Sequence, residues 1–275
     1  MKKSLKKLRK GKLRPVFRGL YRSLSNSQLG FERLADMMNG APNSDPLLGE
    51  ITAVIKTFER PDKLGVLLKS IKRLYPTLHV IVVDDSEKPI QIDGVENIHL
   101  SYDRGVSEGR QAGLDAVKTK YVLNLDDDYI FTRKTDLMSS LNYLDNNINV
   151  DIVAGRVLYL PYYTELEYLS NSLMKNNRSN LIDKGTNIGG LIVYEKTANF
   201  WLGRTEKIKT LGWDKGLKRL DHADFFTRAQ GVLVTVYNPE MQILHMPTHF
   251  NDRYMVVRHD YSQDSKVLRD RYEIR

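Results

Sequence analysis

Residues 121–131 read YVLNLDDDYIF, an apolar run, three consecutive aspartates, then a second apolar run. The first run suits a buried strand, so Asp126, Asp127 and Asp128 fall where that strand ends. Like charges this close repel, and a buried carboxylate is costly without a cation or donor beside it. A solvated acidic turn is the bland reading of such a triplet. A carboxylate cluster that holds a divalent metal is the sharper one, and the surrounding pattern decides between them.

Working outward, ITAVIKTF (51–58) is a short β-branched run of the kind buried in parallel sheets. Residues 62–75 place Leu64, Leu67, Leu68, Ile71 and Leu74 at helical spacing, with Asp62 after Pro61 as a start signal. HVIVVDDS (79–86) and ENIHLSY (96–102) read as further strands. Residues 107–118 read as a helix leading into the strand of the quoted stretch. The order predicts an α/β fold with an open, mostly parallel sheet flanked by helices. In such sheets ligands bind beyond the carboxyl ends of the strands. There the sequence sets Lys56 and Thr57, Asp84 and Asp85, and the aspartate triplet.

The second half is less regular. DIVAGRVLYL (151–160) suggests a strand, 187–201 a strand and a return, and 205–213 a short helix. Residues 220–231 suggest a helix with a charged start, and VLVTVYNPEMQILHM (232–246) two strands around a turn at Asn238 and Pro239. Gly189 and Gly190 suggest a loop that closes on a ligand. NGAPNSDP (39–46) reads as a linker.

Of the 275 residues none is cysteine, which excludes disulfides and thiolate metal sites. The net charge of +8 is concentrated at one end, because residues 1–22 hold ten Lys or Arg and no acid. The remainder carries 32 basic against 34 acidic residues. That distribution argues against a nucleic-acid groove across the fold and for one local anionic contact. Leu5, Leu8, Leu13, Val16, Phe17, Leu20 and Tyr21 could line a basic amphipathic helix on an anionic membrane surface; a merely solubilising arm is the alternative. No apolar run approaches the ~20 residues of a transmembrane helix.

A sheet edge rich in acids suits a phosphate-bearing ligand when a hard divalent cation bridges the two. Transfer from a nucleoside diphosphate sugar fits, since the cation neutralises charge on the leaving diphosphate. Neither a GxxxxGK[ST] loop nor GxGxxG is present, which disfavours a P-loop nucleotidase or a dinucleotide oxidoreductase. LDDDYIFT departs from the dehalogenase-type phosphatase motif at Ile130.

KTFERPDKL, VVDDS, GRQAGLDAV and NLDDDYIF resemble the opening blocks of family-2-like glycosyltransferases of the GT-A fold. TAVIKTFERPDKLGVLLKSIKRLYP, TKYVLNLDDDYIF and NFWLGRTEKIKTLGWDKGLKRLDHADFF are similar, more specifically, to the catalytic domain of β-1,4-N-acetylgalactosaminyltransferases. The resemblance runs from about Ile51 to His245. It implies a GT-A domain (47–260) with a smaller acceptor-side subregion, which leaves the basic tail and linker (1–46) before it and a C-terminal extension (261–275) after it. It also implies roles. Thr57, Phe58 and Arg60 would line the base pocket, with Asp84 or Asp85 accepting from uracil or ribose. Arg110 would face the nucleotide. Asp126 and Asp128, completed by His245, would hold Mn²⁺ or Mg²⁺, and Asp127 would contact the ribose or donor sugar. His222 and Asp224 are the candidates for the catalytic base, and their ranking stays open. Asn199, Trp201 and Asp221 would face the acceptor.

The expected activity is metal-dependent, inverting transfer of a hexose or N-acetylhexosamine, GalNAc first, from a UDP-sugar to a glycan hydroxyl. The expected setting is bacterial surface-polysaccharide synthesis. The enzyme would be cytoplasmic and peripheral on the inner membrane face, near a lipid-linked acceptor, with no nucleic-acid partner. The alternative is a non-catalytic scaffold of the same fold that acts through its basic tail.

Overall fold

The computed structural model describes residues 14–38, 45–170, 173–248 and 251–273. One sheet of ten strands organises them. Its first part is β1 (Ile51–Thr57), β2 (His79–Asp84), β3 (Glu96–His99) and β4 (Tyr121–Asp126). They lie in the order β3-β2-β1-β4, all parallel. Crossovers are made by α2 (Pro61–Leu74) and α3 (Val106–Ala116). The helix α2 begins on Pro61 with Asp62 in its first turn and ends on Lys72 and Arg73, matching the dipole at both ends. Along β1, Ile51, Ala53 and Ile55 pack into one apolar cluster while Val54 packs into the other. That is the two-residue period of a strand covered on both faces.

Beyond β4 the sheet continues through β9 (Trp201–Arg204), β6 (Ile152–Tyr159), β10 (Thr235–His245), β8 (Leu191–Tyr194) and β7 (Asn187–Ile188). β9 is antiparallel to both β4 and β6, so β6 and β10 again run with β1–β4. The short β5 (Tyr129–Ile130) folds back on the end of β10. Helix α4 (Leu137–Asn146) joins α2 on one face, and α5 (Thr205–Leu211) and α6 (Asp221–Ala229) join α3 on the other.

The two strands expected around Asn238 and Pro239 are instead one strand, β10, whose register to β6 shifts between Asn238 and Gln242. Proline has no N–H for the ladder, so a bulge accommodates Pro239 without ending the strand. Gly155 on β6 makes room for it, since a Cβ there would lie 2.4 Å from the Met241 carbonyl oxygen and from the Phe200 ring.

Both chain ends pack on this body. Helix α1 (Arg14–Met38) buries Ser25 and Leu29. Its Tyr21 hydroxyl donates to the carbonyls of Leu160 (3.3 Å) and Pro247 (3.4 Å). The expected apolar set Leu5, Leu8 and Leu13 lies outside the described residues. The final helices are α7 (Asp252–His259) and α8 (Ser262–Tyr272). The segment read as an extension is part of the body: Asp264 accepts from the backbone N–H groups of Lys218 and Leu220, at 3.1 and 2.9 Å. Leu268 and Tyr272 pack on Leu217. Among the described residues no helix is long and apolar enough to cross a membrane.

Candidate active site

The chain runs outward from β1 through β2 to β3, then returns to lay β4 on the other side of β1. The point between β1 and β4 is therefore a topological switch, where a crevice opens beyond the strand ends. A cavity of about 380 Å³ occupies it. Thr57, Phe58 and Arg60 border it from the end of β1, Asp126–Asp128 from the end of β4, and Asp221 and His222 from the start of α6. Sequence separations of up to about 165 residues (Thr57 to His222) are thus brought to one place by parallel strand ends and one helix N-terminus.

The carboxylates of the triplet divide among Arg60, His245 and Arg110. Asp127 is fully buried, accepts from the Thr57 hydroxyl at 2.7 Å and pairs with Arg60. Asp128 accepts from the other Arg60 nitrogen at 2.8 Å and stands 3.1 Å from His245 Nε2. Asp126 pairs with Arg110. Burial, with Asp128 adjacent, pushes Asp127 up to about 6 despite Arg60. Burial acts on Asp128 in the same sense, but His245 and Arg60 outweigh it and hold that carboxyl well below the usual range. Neighbouring acids in two environments thus separate their proton affinities.

Arg110 is fixed by close packing of α3 on the sheet. A Cβ at Gly109 would lie 2.6 Å from the Lys56 side chain, and one at Gly113 2.4 Å from Val54. The glycines let the helix approach, and Arg110 then reaches over the ends of β1 and β4. Its guanidinium pairs with both Asp126 and Asp221, lies 4.9 Å from the Trp213 ring centre, and stands 3.0 and 3.2 Å from the Asn199 side-chain amide. Arg110, expected to face the nucleotide, borders the crevice and ties Asp126 to the start of α6 through Asp221.

His222 makes its Nε2 contact with the Thr197 carbonyl oxygen. A carbonyl can only accept, so Nε2 carries the proton and Nδ1 is the basic nitrogen. Burial lowers the imidazole pKa in spite of that bond, which keeps the ring neutral near pH 7. The Tyr168 ring stands edge-on to it at 6.0 Å.

Asp224, the rival base, faces away. It is fully buried and accepts from Arg228 Nε, Arg271 Nη1 and the Tyr272 hydroxyl, each at 2.7 Å. It fastens the C-terminal helix rather than bordering the crevice. Trp201 is likewise excluded from an acceptor role. It is 1% exposed and stacked on Phe225, ring centres 5.7 Å apart, because alternation on β9 turns it into the core. Asn199 does border the crevice.

The acids after β2 divide in the same way. Asp85 is spent on Lys56 and on the Gly105 N–H at 2.8 Å, so it is no free acceptor for a base. Asp84 accepts from the Ser86 and Ile90 N–H groups and borders a side cavity of about 190 Å³ that also touches Thr57. Gly189 and Gly190 form the β7–β8 turn, both at positive φ, and Gly189 packs on Tyr143 of α4 and on Asn147, which caps that helix. They do not border the crevice.

Several lining residues were not legible as site residues. Tyr129, Tyr159 and Tyr168 surround His245 and His222, and from α7 the Tyr254 ring covers the Arg60 guanidinium at 4.2 Å. Arg258 binds the Tyr254 hydroxyl at 2.8 Å, and Arg219 lies over Phe58.

Strand order and a crevice at the switch point are together those of a GT-A glycosyltransferase. The chain belongs to glycosyl transferase family 2, whose model matches residues 52–212. It is 34% identical over 199 residues to β-1,4 N-acetylgalactosaminyltransferase 2 of Mus musculus, covering 71% of this chain and 39% of that protein. It is also 34% identical over 196 residues to β-1,4 N-acetylgalactosaminyltransferase 1 of Homo sapiens, covering 66% and 36%. The chain therefore spans well under half the length of these relatives. Among solved structures, TarS 1–349 of S. aureus in complex with UDP aligns with a TM-score of 0.56 and 16% identity, over 75% of this chain and 64% of that one. The same protein with UDP-GlcNAc gives 0.55 and 14%, over 72% and 58%. At such identity these neighbours establish the fold.

Glycosyltransferases of this fold generally use a divalent metal. Among the described residues no three His, Asp or Glu side chains converge as a metal cage. Asp128 Oδ1 and His245 Nε2, however, stand 3.1 Å apart, a separation two ligands of one small cation take, and His245 Nδ1 is buried without a partner. Magnesium-like ions commonly use one or two protein ligands and complete their shell with phosphate oxygens and water. The donor set fits that mode.

Proposed function

We propose that this glycosyltransferase moves an N-acetylhexosamine, GalNAc first, from a UDP-sugar to a glycan hydroxyl with inversion at the anomeric carbon. The observation that carries the reading is the convergence of Asp126–Asp128, Arg60, Arg110 and His222 on one crevice. The names of the relatives supply the sugar, and the UDP complexes of the structural neighbour supply the nucleotide class.

Thr57 and Phe58 would receive the uridine, with Asp84 in the adjoining side cavity. Asp128 and His245, with Asp126 beside them, would hold Mn²⁺ or Mg²⁺, which supplies positive charge against the departing diphosphate when bound. Arg60 and Arg110 would exchange part of their carboxylate contacts for the diphosphate and steady it in the buried site. The acceptor hydroxyl would give its proton to His222 Nδ1 as its oxygen bonds to the anomeric carbon and the bond to UDP breaks. The Thr197 carbonyl would hold the ring for that transfer, and the nearby Asp221 carboxylate would favour the imidazolium once formed, against the opposing charge of Arg110. The acceptor setting we propose is bacterial surface polysaccharide.

The test is UDP release from a panel of UDP-sugars with Mn²⁺, wild type beside Asp128→Ala. Selective turnover of UDP-GalNAc, lost in the variant, is expected. No release and no metal-dependent UDP binding with any donor would overturn the reading in favour of a scaffold.

A further inference from the structure

The donor crevice leaves the outward face of α1 unused. Val16, Leu20, Leu24, Phe31, Leu34 and Met38 are between 49 and 77% exposed. At 100° per residue they fall in one arc about 80° wide that also contains Ser27 and is bordered on one side by Gly19, Ser23, Asn26 and Gly30. Phe17 and Tyr21, expected on the same apolar stripe, turn inward; Gln28, Leu29 and Ser25 complete the docked side. Six large exposed apolar side chains on one face, interrupted only by Ser27, are not the scattered surface hydrophobicity of an ordinary domain.

We propose that this face of α1 lies on an anionic phospholipid surface. Charge complementarity selects that occupant: residues 1–22, which run into the stripe, carry ten Lys or Arg and no acid. Apolar burial at the headgroup boundary plus attraction of cations to anionic lipid is how interfacial helices bind. A second copy of the chain is the rival, since Leu20, Leu24, Ser27, Phe31, Leu34 and Met38 follow 4-3-4-3-4 spacing. A parallel pair would bring two such cationic segments side by side, which repels; anionic lipid attracts both.

The placement bears on the reaction. The docked side of α1 holds the carbonyls of Leu160 and Pro247, just past the strand ends that carry Tyr159 and His245. A membrane under α1 would therefore lie beside the crevice, within reach of a lipid-linked acceptor. The binding itself rests on no assumption about the donor.

The experiment is co-sedimentation of the full chain with phosphatidylglycerol and phosphatidylcholine vesicles, comparing wild type with Leu20→Ser/Leu24→Ser/Phe31→Ser. All three sites are exposed, and a thermal melt checks that the fold is kept. Expected is binding to phosphatidylglycerol at least tenfold weaker in the variant, little binding of either to phosphatidylcholine, and equal UDP binding. Undiminished sedimentation of the variant would overturn the proposal, since the charged tail alone would then suffice. It would also be overturned by a wild type that ignores both vesicles, whether monomeric or a dimer that the triple substitution dissociates in light scattering.

Discussion

Arg60 and Asp128, 68 residues apart, meet across the switch point with Nη1 2.8 Å from Oδ2, both almost wholly buried. The same guanidinium holds Asp127 with its second nitrogen and is roofed by Tyr254. One arginine thus makes two adjacent buried carboxylates tolerable.

Arg60→Ala is expected to destabilise the protein by about 3–5 kcal/mol, because breaking a buried pair leaves charge uncompensated. Urea unfolding measures it. Arg60→Lys should recover little, since an ammonium cannot span two carboxylates as the planar fork does.

His222→Gln is expected to lower kcat by about 10²–10⁴-fold while UDP binding stays near wild type. Burial lowers the imidazole pKa, so the neutral base persists below the ordinary value of ~6.5. The rate should fall only as pH drops through that lowered pKa, and this acid limb should vanish in the variant. A limb unchanged in His222→Gln would assign the proton transfer elsewhere.

The same shift sets a stability window. The unfolded imidazole takes its proton first as pH falls, so the stability tied to neutral His222 is present above ~6.5 and declines towards the lower folded pKa. Unfolding midpoints of wild type and His222→Gln should therefore diverge less at low pH than at pH 7.5.

Asp224→Ala separates structure from chemistry. Loss of the acceptor for Arg228, Arg271 and Tyr272 should cost about 3–5 kcal/mol. Turnover per folded molecule should stay within a few-fold of wild type. Trp201→Phe, a core change, should leave the acceptor KM unaltered.

The strands 51–57, 79–84 and 121–126 and the helices 61–74 and 106–116 were legible because their apolar periods are local and strong. So was the grouping of Thr57, Arg60 and the triplet, since parallel strand ends share an edge. Helix α7 and the tyrosines around His245 were not, because nothing in their own spacing tells which loop returns over the crevice.

The sequence by itself determined the class of fold, the acid-rich edge, the family and the concentration of positive charge in the first 22 residues. Only the tertiary structure decided which of two acids on α6 reaches the crevice, that Asp85 is consumed by Lys56 while Asp84 borders a cavity, and that Trp201 is core. These are questions of direction. A one-dimensional pattern records which residues are near one another along the chain. The 100° step of a helix and the alternation of a strand, once packed, settle which way each side chain points.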